Sequence, residues 1–284
     1  MKKVYMISLI IGLALLSLLL YSRFIGTKGL NIKEYNVDNA ILPTSFHGVK
    51  IVHLSDIHYG STIKIKELKK LVKSVNELKP DIVVLTGDFF DNKDEIKEIR
   101  EVTSVMNSIT STIGKYIVSG NHDKFQPKYQ EFFNNIGFTN LDDTYEIIYN
   151  KSNEPIMISG LGTEFENKLS VSDRIKGSLE YINSLEKDMF KILLVHEPDS
   201  ILEFDYSKYN LVLAGHSHNG QVRIPLIGAL KLFLPDGAKK YYLPHYKLDN
   251  TDLCISSGIG TSTLKLRFNN HPSFNFYRLT NKSS

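Results

Sequence analysis

The sequence has little of several features that would narrow its function class. Cys254 is the single cysteine among 284 residues, so neither an intrachain disulfide nor a cysteine-based zinc knuckle can form. The formal net charge is only +3, and the basic residues are scattered along the chain. A dedicated nucleic-acid binder usually carries a concentrated basic stripe, so this pattern argues against that class. There is no internal repeat and no low-complexity linker, and we expect an ordinary globular protein.

An uncharged run rich in Leu and Ile extends from Val4 to Tyr21, behind two lysines at the N-terminus. As a helix, this run would be about 27 Å long, close to the thickness of a bilayer's hydrocarbon core. A cleaved signal peptide and a buried soluble helix are the alternatives. No small-x-small processing site follows the run, and a terminal soluble helix is rarely apolar on all sides. The pattern favours an uncleaved membrane anchor over residues 1–25, a connector over 26–45 and one further domain over 46–284.

Segments with helical and strand-like patterns alternate through the rest of the chain. Apolar residues at helical spacing predict helices over Ile63–Leu78, Asp94–Ile109, Tyr129–Ile136 and Ser172–Leu185. Short apolar runs rich in β-branched residues predict buried strands over 32–37, 50–55, 82–86, 116–119, 146–149, 156–159, 192–195, 211–214, 252–256 and 274–277. This order predicts an α/β fold, a four-layer α/β/β/α sandwich of two mixed sheets in one domain.

Five short polar blocks directly follow five of these strands. They are Asp56-Ile-His58, Gly87-Asp88-Phe-Phe-Asp91, Gly120-Asn121-His122-Asp123, His196-Glu-Pro and Gly215-His216-Ser-His218. In an open α/β sheet, ligands collect beyond the carboxyl ends of the strands. Histidine, carboxylate and amide donors without thiolate suit manganese, iron or zinc. The blocks therefore predict a metal site at the C-terminal ends of the strands.

Spacing within the blocks supports chelation. Side-chain direction repeats every two residues along a strand, so Asp56 and His58 are expected on the same face, as are the histidines of Gly-His-Ser-His. The two oxygens of the Asp88 carboxylate can bridge two ions. His53, by contrast, sits in the middle of its strand, and we expect it to be a core residue with satisfied hydrogen bonds and not a ligand.

Together the blocks resemble the calcineurin-like metallophosphoesterase superfamily, whose pattern is Asp-x-His, Gly-Asp-x-x-Asp, Gly-Asn-His-Asp, a lone His and Gly-His-x-His. The resemblance extends from about Val49 to Phe276. It implies a site for two divalent ions that activate water for attack on a phosphoester. It also implies seven metal ligands: Asp56, His58 and His218 on one ion, Asn121, His196 and His216 on the other, and Asp88 between them.

The same resemblance implies two catalytic residues that do not bind metal. His122 would protonate the leaving oxygen or stabilise its charge. Asp91 would orient His122, with Asp123 as a second candidate for that role; a helix N-cap is the alternative for Asp91. Phosphoprotein phosphatases of this superfamily carry an Arg just after Gly-Asp-x-x-Asp, where this chain has Asn92. This difference argues against a phosphoprotein substrate.

The segments 215–229, 257–262 and 266–268 are similar to a narrower branch, the bacterial membrane-associated phosphodiesterases. Some members of that branch are UDP-diacylglucosamine hydrolases of lipid A synthesis. An apolar loop follows the last block and contains Leu226, Ile227, Leu230, Leu232, Phe233 and Leu234. It would either receive a lipid substrate or pack under the sheet. Arg223 and Arg267 are candidate phosphate contacts, with surface charge as the alternative.

These observations predict a membrane-anchored phosphodiesterase or pyrophosphatase for a lipid-linked or nucleotide-lipid substrate, with its metallophosphoesterase domain over 46–284. The short N-terminus favours a single-pass anchor in a bacterial cell membrane and an extracytoplasmic domain. A non-catalytic metal-binding scaffold is one alternative, and a nuclease or general phosphatase of the same fold is another. The complete set of ligands with His122 disfavours a scaffold, and the scattered basic residues disfavour a nuclease. No nucleic-acid partner is expected, and the oligomeric state is left open.

Overall fold

The computed structural model describes residues 1–91, 98–123, 127–163 and 169–282 of the chain. The helices of these residues are α1 Lys2–Phe24, α2 Ile65–Glu77, α3 Ile99–Asn107, α4 Pro127–Asn135 and α5 Val171–Asn183. The strands up to the fourth block are β1 Asn31–Asp38, β2 Lys50–Leu54, β3 Ile82–Thr86, β4 Gly114–Val118, β5 Thr139–Asn140, β6 Thr144–Ile148, β7 Ile156–Leu161 and β8 Lys191–Val195. The remaining strands are β9 Leu211–Ala214, β10 Arg223–Ile224, β11 Gly228–Ala229, β12 His245–Leu248, β13 Thr251–Ile255 and β14 Ser273–Thr280.

Two large mixed sheets position the polar blocks. The first sheet has the strand order β1-β14-β2-β3-β4-β5, and the second has the order β12-β13-β9-β8-β7-β6. β2, β3 and β4 run parallel to one another, and so do β8 and β9. Both sheets also contain antiparallel pairs, β14 with β2 and β6 with β7. Because the carboxyl ends of parallel strands lie at the same edge of a sheet, the blocks that follow them are brought together.

Three buried apolar clusters separate the four layers, as the sequence predicts. The first cluster lies between α2, α3, α4 and the outer face of the first sheet, and it contains Val52. The second lies between the sheets and contains Ile51 and Ile192. The third contains Leu193 and Ile175 and lies between the second sheet and α5. Neighbouring residues of β2 and of β8 thus face opposite layers, as the two-residue period of a strand requires.

The predicted helices and long strands are present, with boundaries that differ by a few residues. The start of the predicted helix Asp94–Ile109 lies outside the described residues, and so does Asn92; α3 is described from Ile99. The prediction lacks β5, β10, β11 and β12, which are only two to four residues long and too short to show a period. Part of the predicted connector belongs to the first sheet, because β1 pairs in parallel with β14 along its whole length.

α1 is long and apolar enough to cross a membrane, and none of its apolar window is buried against the rest of the chain. Its last turn contacts the domain. The backbone N–H of Arg267 donates a hydrogen bond to the carbonyl of Ser22 at 2.9 Å. The rings of Tyr21 and Phe268 meet edge to face, with 6.2 Å between their centroids. The end of α1 is therefore attached to the segment that precedes β14.

Candidate metal centre

The first three predicted donors lie in the turns that follow β2 and β3, and these two turns are hydrogen-bonded to each other. The backbone N–H of Asp56 donates to the carbonyl of Gly87, and that of His58 donates to the carbonyl of Asp88, both at 3.0 Å. Asp56, His58 and Asp88 have φ angles of 50°, 45° and 55°, in the left-handed region that non-glycine residues rarely adopt. Asp56 Oδ1 lies 4.0 Å from His58 Nε2, and a left-handed turn brings the two side chains together, not the pleat of a strand.

The Gly-His-Ser-His block adopts a similar geometry after β9, because His216 and His218 have φ angles of 66° and 47°. Glycine is required beside these donors. A Cβ on Gly215 would lie 2.7 Å from Asp56 Oδ2 and would overlap Ser55 Oγ. Gly258, which the sequence analysis did not identify, is also left-handed, with a φ of 72°. A Cβ there would lie 2.7 Å from His218 Nδ1.

The predicted donors form two groups, which are buried except for the partly buried Asn121. In the first, His218 Nε2 lies 3.2 Å from His58 Nε2 and 3.5 Å from Asp56 Oδ1. In the second, His196 Nε2 lies 3.1 Å from both Asn121 Oδ1 and His216 Nδ1.

Asp88 stands between the two groups. One of its carboxylate oxygens, Oδ2, lies 3.3 Å from His196 Nε2 and 3.6 Å from His58 Nε2. The arrangement brings the seven predicted ligands together, with Asp88 at the position expected of a bridge.

The outer hydrogen bonds of two histidines determine which ring nitrogen faces the site. His196 Nδ1 lies 2.8 Å from the carbonyl oxygen of Thr86, and His216 Nε2 lies 2.7 Å from that of Asp236. A carbonyl only accepts, so these nitrogens carry the hydrogen. In the neutral rings, the inward His196 Nε2 and His216 Nδ1 then present a lone pair to the site.

Burial and neighbouring charges shift the pKa values of His196 and Asp88 in opposite directions. Burial alone would lower the pKa of His196, but the adjacent Asp88 carboxylate raises it to about 10. Burial alone would raise the pKa of Asp88, yet His196 and His58 hold it well below its usual range. Burial lowers the pKa of His216 to about 4. An ionised carboxylate among buried imidazoles fits a divalent cation, and the triads Asp56–His58–His218 and Asp88–His196–His216 have donor atoms close enough to hold one.

His122 lies at the edge of this cluster, and His58, Asp88 and His122 form a third group whose donor atoms lie within 4.8 Å of one another. Its half-buried ring meets that of His58 edge to face, with 4.9 Å between the ring centroids. Its Nδ1 lies 3.3 Å from the backbone carbonyl oxygen of Asp91. The Asp91 carboxylate points elsewhere, with Oδ1 3.4 Å from His58 Nδ1. The side chain predicted to orient His122 therefore contacts His58, and the backbone of the same residue contacts His122.

Asp123, the second residue predicted to support His122, holds the backbone of the Gly-Asp block. Its buried carboxylate accepts hydrogen bonds from the N–H groups of Asp88 at 2.8 Å, Phe89 at 2.9 Å and Gly120 at 2.9 Å. Burial and the nearby Asp88 charge raise the pKa of Asp123 to about 7. The sequence signal for this role is the three-residue spacing from Gly120, which lets an Asp side chain return to an earlier amide.

The two arginines predicted as phosphate contacts lie away from the side of the metal donors that is open to a substrate. The guanidinium of Arg267 is completely buried, and its Nη2 donates to the carbonyl oxygens of Ser257 and Gly260 at 2.8 and 2.7 Å. The same Nη2 lies 3.2 Å from His218 Nδ1, behind the metal-facing side of that ring. Arg223 donates to the carbonyl of Asn219 at 3.3 Å. This geometry favours a supporting role for Arg267 over contact with substrate.

A pocket of about 550 Å³ opens onto the donors. Polar groups of Asp88, Asn121, His122, His216 and His218 form part of its lining, which also contains the apolar side chains Val222, Leu230, Phe233, Leu234, Leu264 and Leu266. Phe233 and Leu264 are 62% and 44% exposed at its surface. Among the lining residues that the structure describes, none is Lys or Arg. Three residues of the predicted apolar loop thus lie beside the donors, whereas Leu226 and Ile227 line a separate hollow.

Comparison with known proteins supports a phosphoesterase. The model of the calcineurin-like phosphoesterase family matches residues 49–220, which confirms the resemblance predicted from the five blocks. The uncharacterized metallophosphoesterase YkuE of Bacillus subtilis (strain 168) is 29% identical over 265 residues, which cover 91% of this chain and 88% of YkuE. Phosphodiesterase YaeI of Escherichia coli (strain K12) is 27% identical over 225 residues, or 78% of this chain and 79% of YaeI. A transmembrane protein with metallophosphoesterase domain from Danio rerio is 28% identical over 188 residues, or 64% of this chain and 43% of that protein.

Proposed function

We propose that the substrate of this chain is a lipid-linked or nucleotide-lipid phosphodiester or pyrophosphate at a membrane. The chain belongs to the calcineurin-like phosphoesterase family and hydrolyses phosphoesters. The observation that carries this substrate class is the pocket over the donors, whose walls are largely apolar. An acyl chain beside the reacting phosphate would gain from burial against such walls. A water-soluble nucleic acid would instead need basic side chains along its path.

Seven residues would hold two divalent ions, and manganese, iron and zinc all suit their donors. The proposed ligands are Asp56, His58 and His218 for one ion and Asn121, His196 and His216 for the other, with Asp88 shared. Such ions, when bound, neutralise phosphoryl charge and supply a nucleophile from water at neutral pH. The buried carboxylates of Asp56 and Asp88 supply the negative charge that draws cations into the site.

His122 is the proposed proton donor to the leaving oxygen. Its half-buried ring lines the pocket, so it is accessible to a substrate that approaches the donors. In the protonated ring, Nδ1–H can donate to the Asp91 carbonyl, which leaves Nε2–H for the leaving group. Asp91 also acts through His58, because its carboxylate lies 3.4 Å from Nδ1 and its charge favours the hydrogen on that nitrogen, which leaves Nε2 free for metal.

A membrane location is supported by α1 and by its attachment next to the pocket. Leu264 and Leu266 belong to the pocket wall, and the next residues, Arg267 and Phe268, contact the last turn of α1. The Danio rerio relative is named a transmembrane protein. We therefore infer a single-pass anchor in a bacterial cell membrane, with the catalytic domain on the extracytoplasmic side and the pocket wall near the bilayer.

The test compares a long-chain lipid phosphodiester with a short-chain analogue that has the same head group. In mixed micelles, the wild type should prefer the long-chain substrate in kcat/KM. Phe233→Ser with Leu264→Ser should reduce that preference roughly tenfold, because both side chains border the pocket. Leu226→Ser is the matched control, since Leu226 is fully exposed but lies outside the pocket. No preference for the long chain, or faster turnover of single-stranded nucleic acid, would refute the proposed substrate class.

A further inference from the structure

A second hollow, of about 780 Å³, lies where α1 joins the domain, and we refer to it as the basic groove. It shares no lining residue with the pocket over the metal donors. Its cationic lining residues are Arg23 at the end of α1, Lys28 just after it, and Lys66, Lys70 and Lys73 on α2. Its apolar lining residues are Phe24, Leu30, Ile63, Leu71 and Ile259. The basic groove therefore combines positive charge with an apolar surface.

Most of this positive charge is not neutralised locally. Lys73 forms an ion pair with Glu77 at 3.8 Å. The carboxylate of Glu67, the other acid in the lining, accepts the backbone N–H of Lys64 at 3.3 Å. Within the part of the chain that the structure describes, Arg23, Lys28, Lys66 and Lys70 form no ion pair. Five cations and only two carboxylates line the groove, and this excess of positive charge favours an anionic ligand.

The position of the basic groove relative to a bilayer follows from its place at the end of α1. Arg23 is in the last turn of α1, and the helix continues into a short turn in which Lys28 N–H donates to the carbonyl of Ile25 at 2.9 Å. If α1 crosses a bilayer, the residues at its end lie at the level of the lipid head groups. Basic residues directly beside a transmembrane helix attract anionic lipids and can form sites for their phosphates.

We propose that the basic groove binds one anionic phospholipid of the leaflet next to the domain, with the phosphate held by Lys66 and Lys70 and the acyl region against Phe24. This proposal rests on the proposed membrane anchor and is independent of the substrate. It gives the groove a role in fixing the orientation of the domain on the bilayer, since α2 and α1 would share one bound lipid.

The test uses the full chain in nanodiscs that contain equal amounts of phosphatidylglycerol and phosphatidylcholine. After release into the gas phase, native mass spectrometry should show phosphatidylglycerol retained in preference to phosphatidylcholine. Lys66→Gln with Lys70→Gln should lower the retained phosphatidylglycerol roughly tenfold or more, because two cations are lost from the site. The control is Lys151→Gln with Lys208→Gln, which removes the same charge from exposed positions outside the groove and should retain the lipid.

Three outcomes would overturn the proposal. The first is equal retention of the two lipids by the wild type, and the second is an equal loss of lipid in both double variants. The third is displacement of the lipid by millimolar inorganic phosphate, which would identify a soluble anion as the ligand. A chain that fails to enter nanodiscs would instead contradict the anchor. Hydrolysis of a small chromogenic diester should be unchanged in both variants, since none of the four lysines lines the metal pocket.

Discussion

The role of His122 as the proton donor can be tested separately from metal binding. We expect His122→Ala to lower turnover by roughly 10²–10⁴-fold, the usual contribution of a general acid. The variant should keep the metal content of the wild type, because all seven proposed ligands remain in place, even though a ring nitrogen of His122 lies within 4.8 Å of donor atoms of His58 and Asp88. Metal analysis and steady-state kinetics on the same preparation provide the measurement.

His196→Ala is the matched control for this prediction. His196 Nε2 lies within 3.3 Å of Asn121, His216 and Asp88, so its loss removes a donor from the centre of the second group. This variant should lose metal as well as activity. If His122→Ala also lost metal, His122 would be a ligand and its assignment as the proton donor would be wrong.

His53 provides a pH-dependent prediction outside the metal centre. It is completely buried, its Nε2 lies 2.8 Å from Thr86 Oγ1, and burial lowers its pKa from 6.5 to about 3. Below about pH 6.5 the unfolded chain binds a proton at this residue that the folded chain does not. This residue therefore contributes stability that is complete above that pH and is lost as the pH falls toward 3.

The measurement is chemical denaturation of the detergent-solubilised chain between about pH 7 and pH 5. The free energy of unfolding should fall more steeply with acid in the wild type than in His53→Gln, by up to roughly 1.4 kcal/mol per pH unit. Equal slopes in the two proteins would show that His53 is accessible to protons in the folded state.

At the residue scale, the sequence predicted which residues form the site better than it predicted their contacts. The five blocks were sufficient to name the donors that the structure brings together, because each block follows a strand whose end lies at the same edge. The contacts of Asp91, Asp123 and Arg267 could not be predicted, since each depends on a turn or a tertiary neighbour. The Arg267 guanidinium, for example, is buried behind His218 and bonded to backbone carbonyls, a setting that no local pattern indicates.

At the scale of the elements, the site depends on tight turns at strand ends. We expect Gly215→Ala to lower metal affinity and activity sharply, because a Cβ would lie 2.7 Å from Asp56 Oδ2 and overlap Ser55 Oγ. Gly177→Ala is the control on α5, where a Cβ meets nothing within 4 Å. Replacing glycine inside a helix should stabilise the protein by about 1 kcal/mol and leave activity unchanged. Thermal unfolding, metal analysis and turnover of both variants test this contrast, and normal metal binding by Gly215→Ala would contradict it.

The sequence predicted the elements themselves well where they are long and buried. α2 and β3 repeat an apolar pattern over whole turns or whole strands, and such patterns are strong signals. The ribbon of β10 and β11 has two residues per strand, too few to show a periodic pattern. The left-handed turns after β2 and β9 were also missed, because Asp and His do not indicate them as glycine does.

At the scale of the whole molecule, the donors come from two sheets. Asp56, Asp88 and Asn121 follow strands of the first sheet, whereas His196 and the two histidines after β9 follow strands of the second. A metal ion bound in either group would therefore link the two sheets. The stacking of two mixed sheets was predictable from the order of the elements, but the exact approach of their edges was not.

The attachment of α1 gives a prediction for the whole chain. The full-length protein should remain in the membrane fraction through carbonate washing and keep its original N-terminus, because α1 is long and apolar enough to span a bilayer. A chain that begins at Gly26 should be soluble and should still hydrolyse a small chromogenic phosphodiester, since all seven donors lie beyond Val49. A control that begins at Leu20 keeps the contacts of Tyr21 and Ser22 with the domain.

Cell fractionation and N-terminal sequencing test this prediction. A mature chain that begins near residue 22–28 and is recovered from the medium would refute the anchor. Loss of small-substrate activity in the chain that begins at Gly26, with activity retained in the control, would show that the last turn of α1 supports the site.

The most direct measurement for the account as a whole is turnover of the exhaustively demetallated full-length chain as Mn²⁺ is added back. Because Asp88 lies between two groups of donors, we predict no activity without metal and full recovery at about two equivalents of Mn²⁺ per chain. His196→Ala should not recover under the same titration. Full turnover by the metal-free wild type, in buffer that contains chelator, would contradict the central claim that these donors build a metal-dependent phosphoesterase.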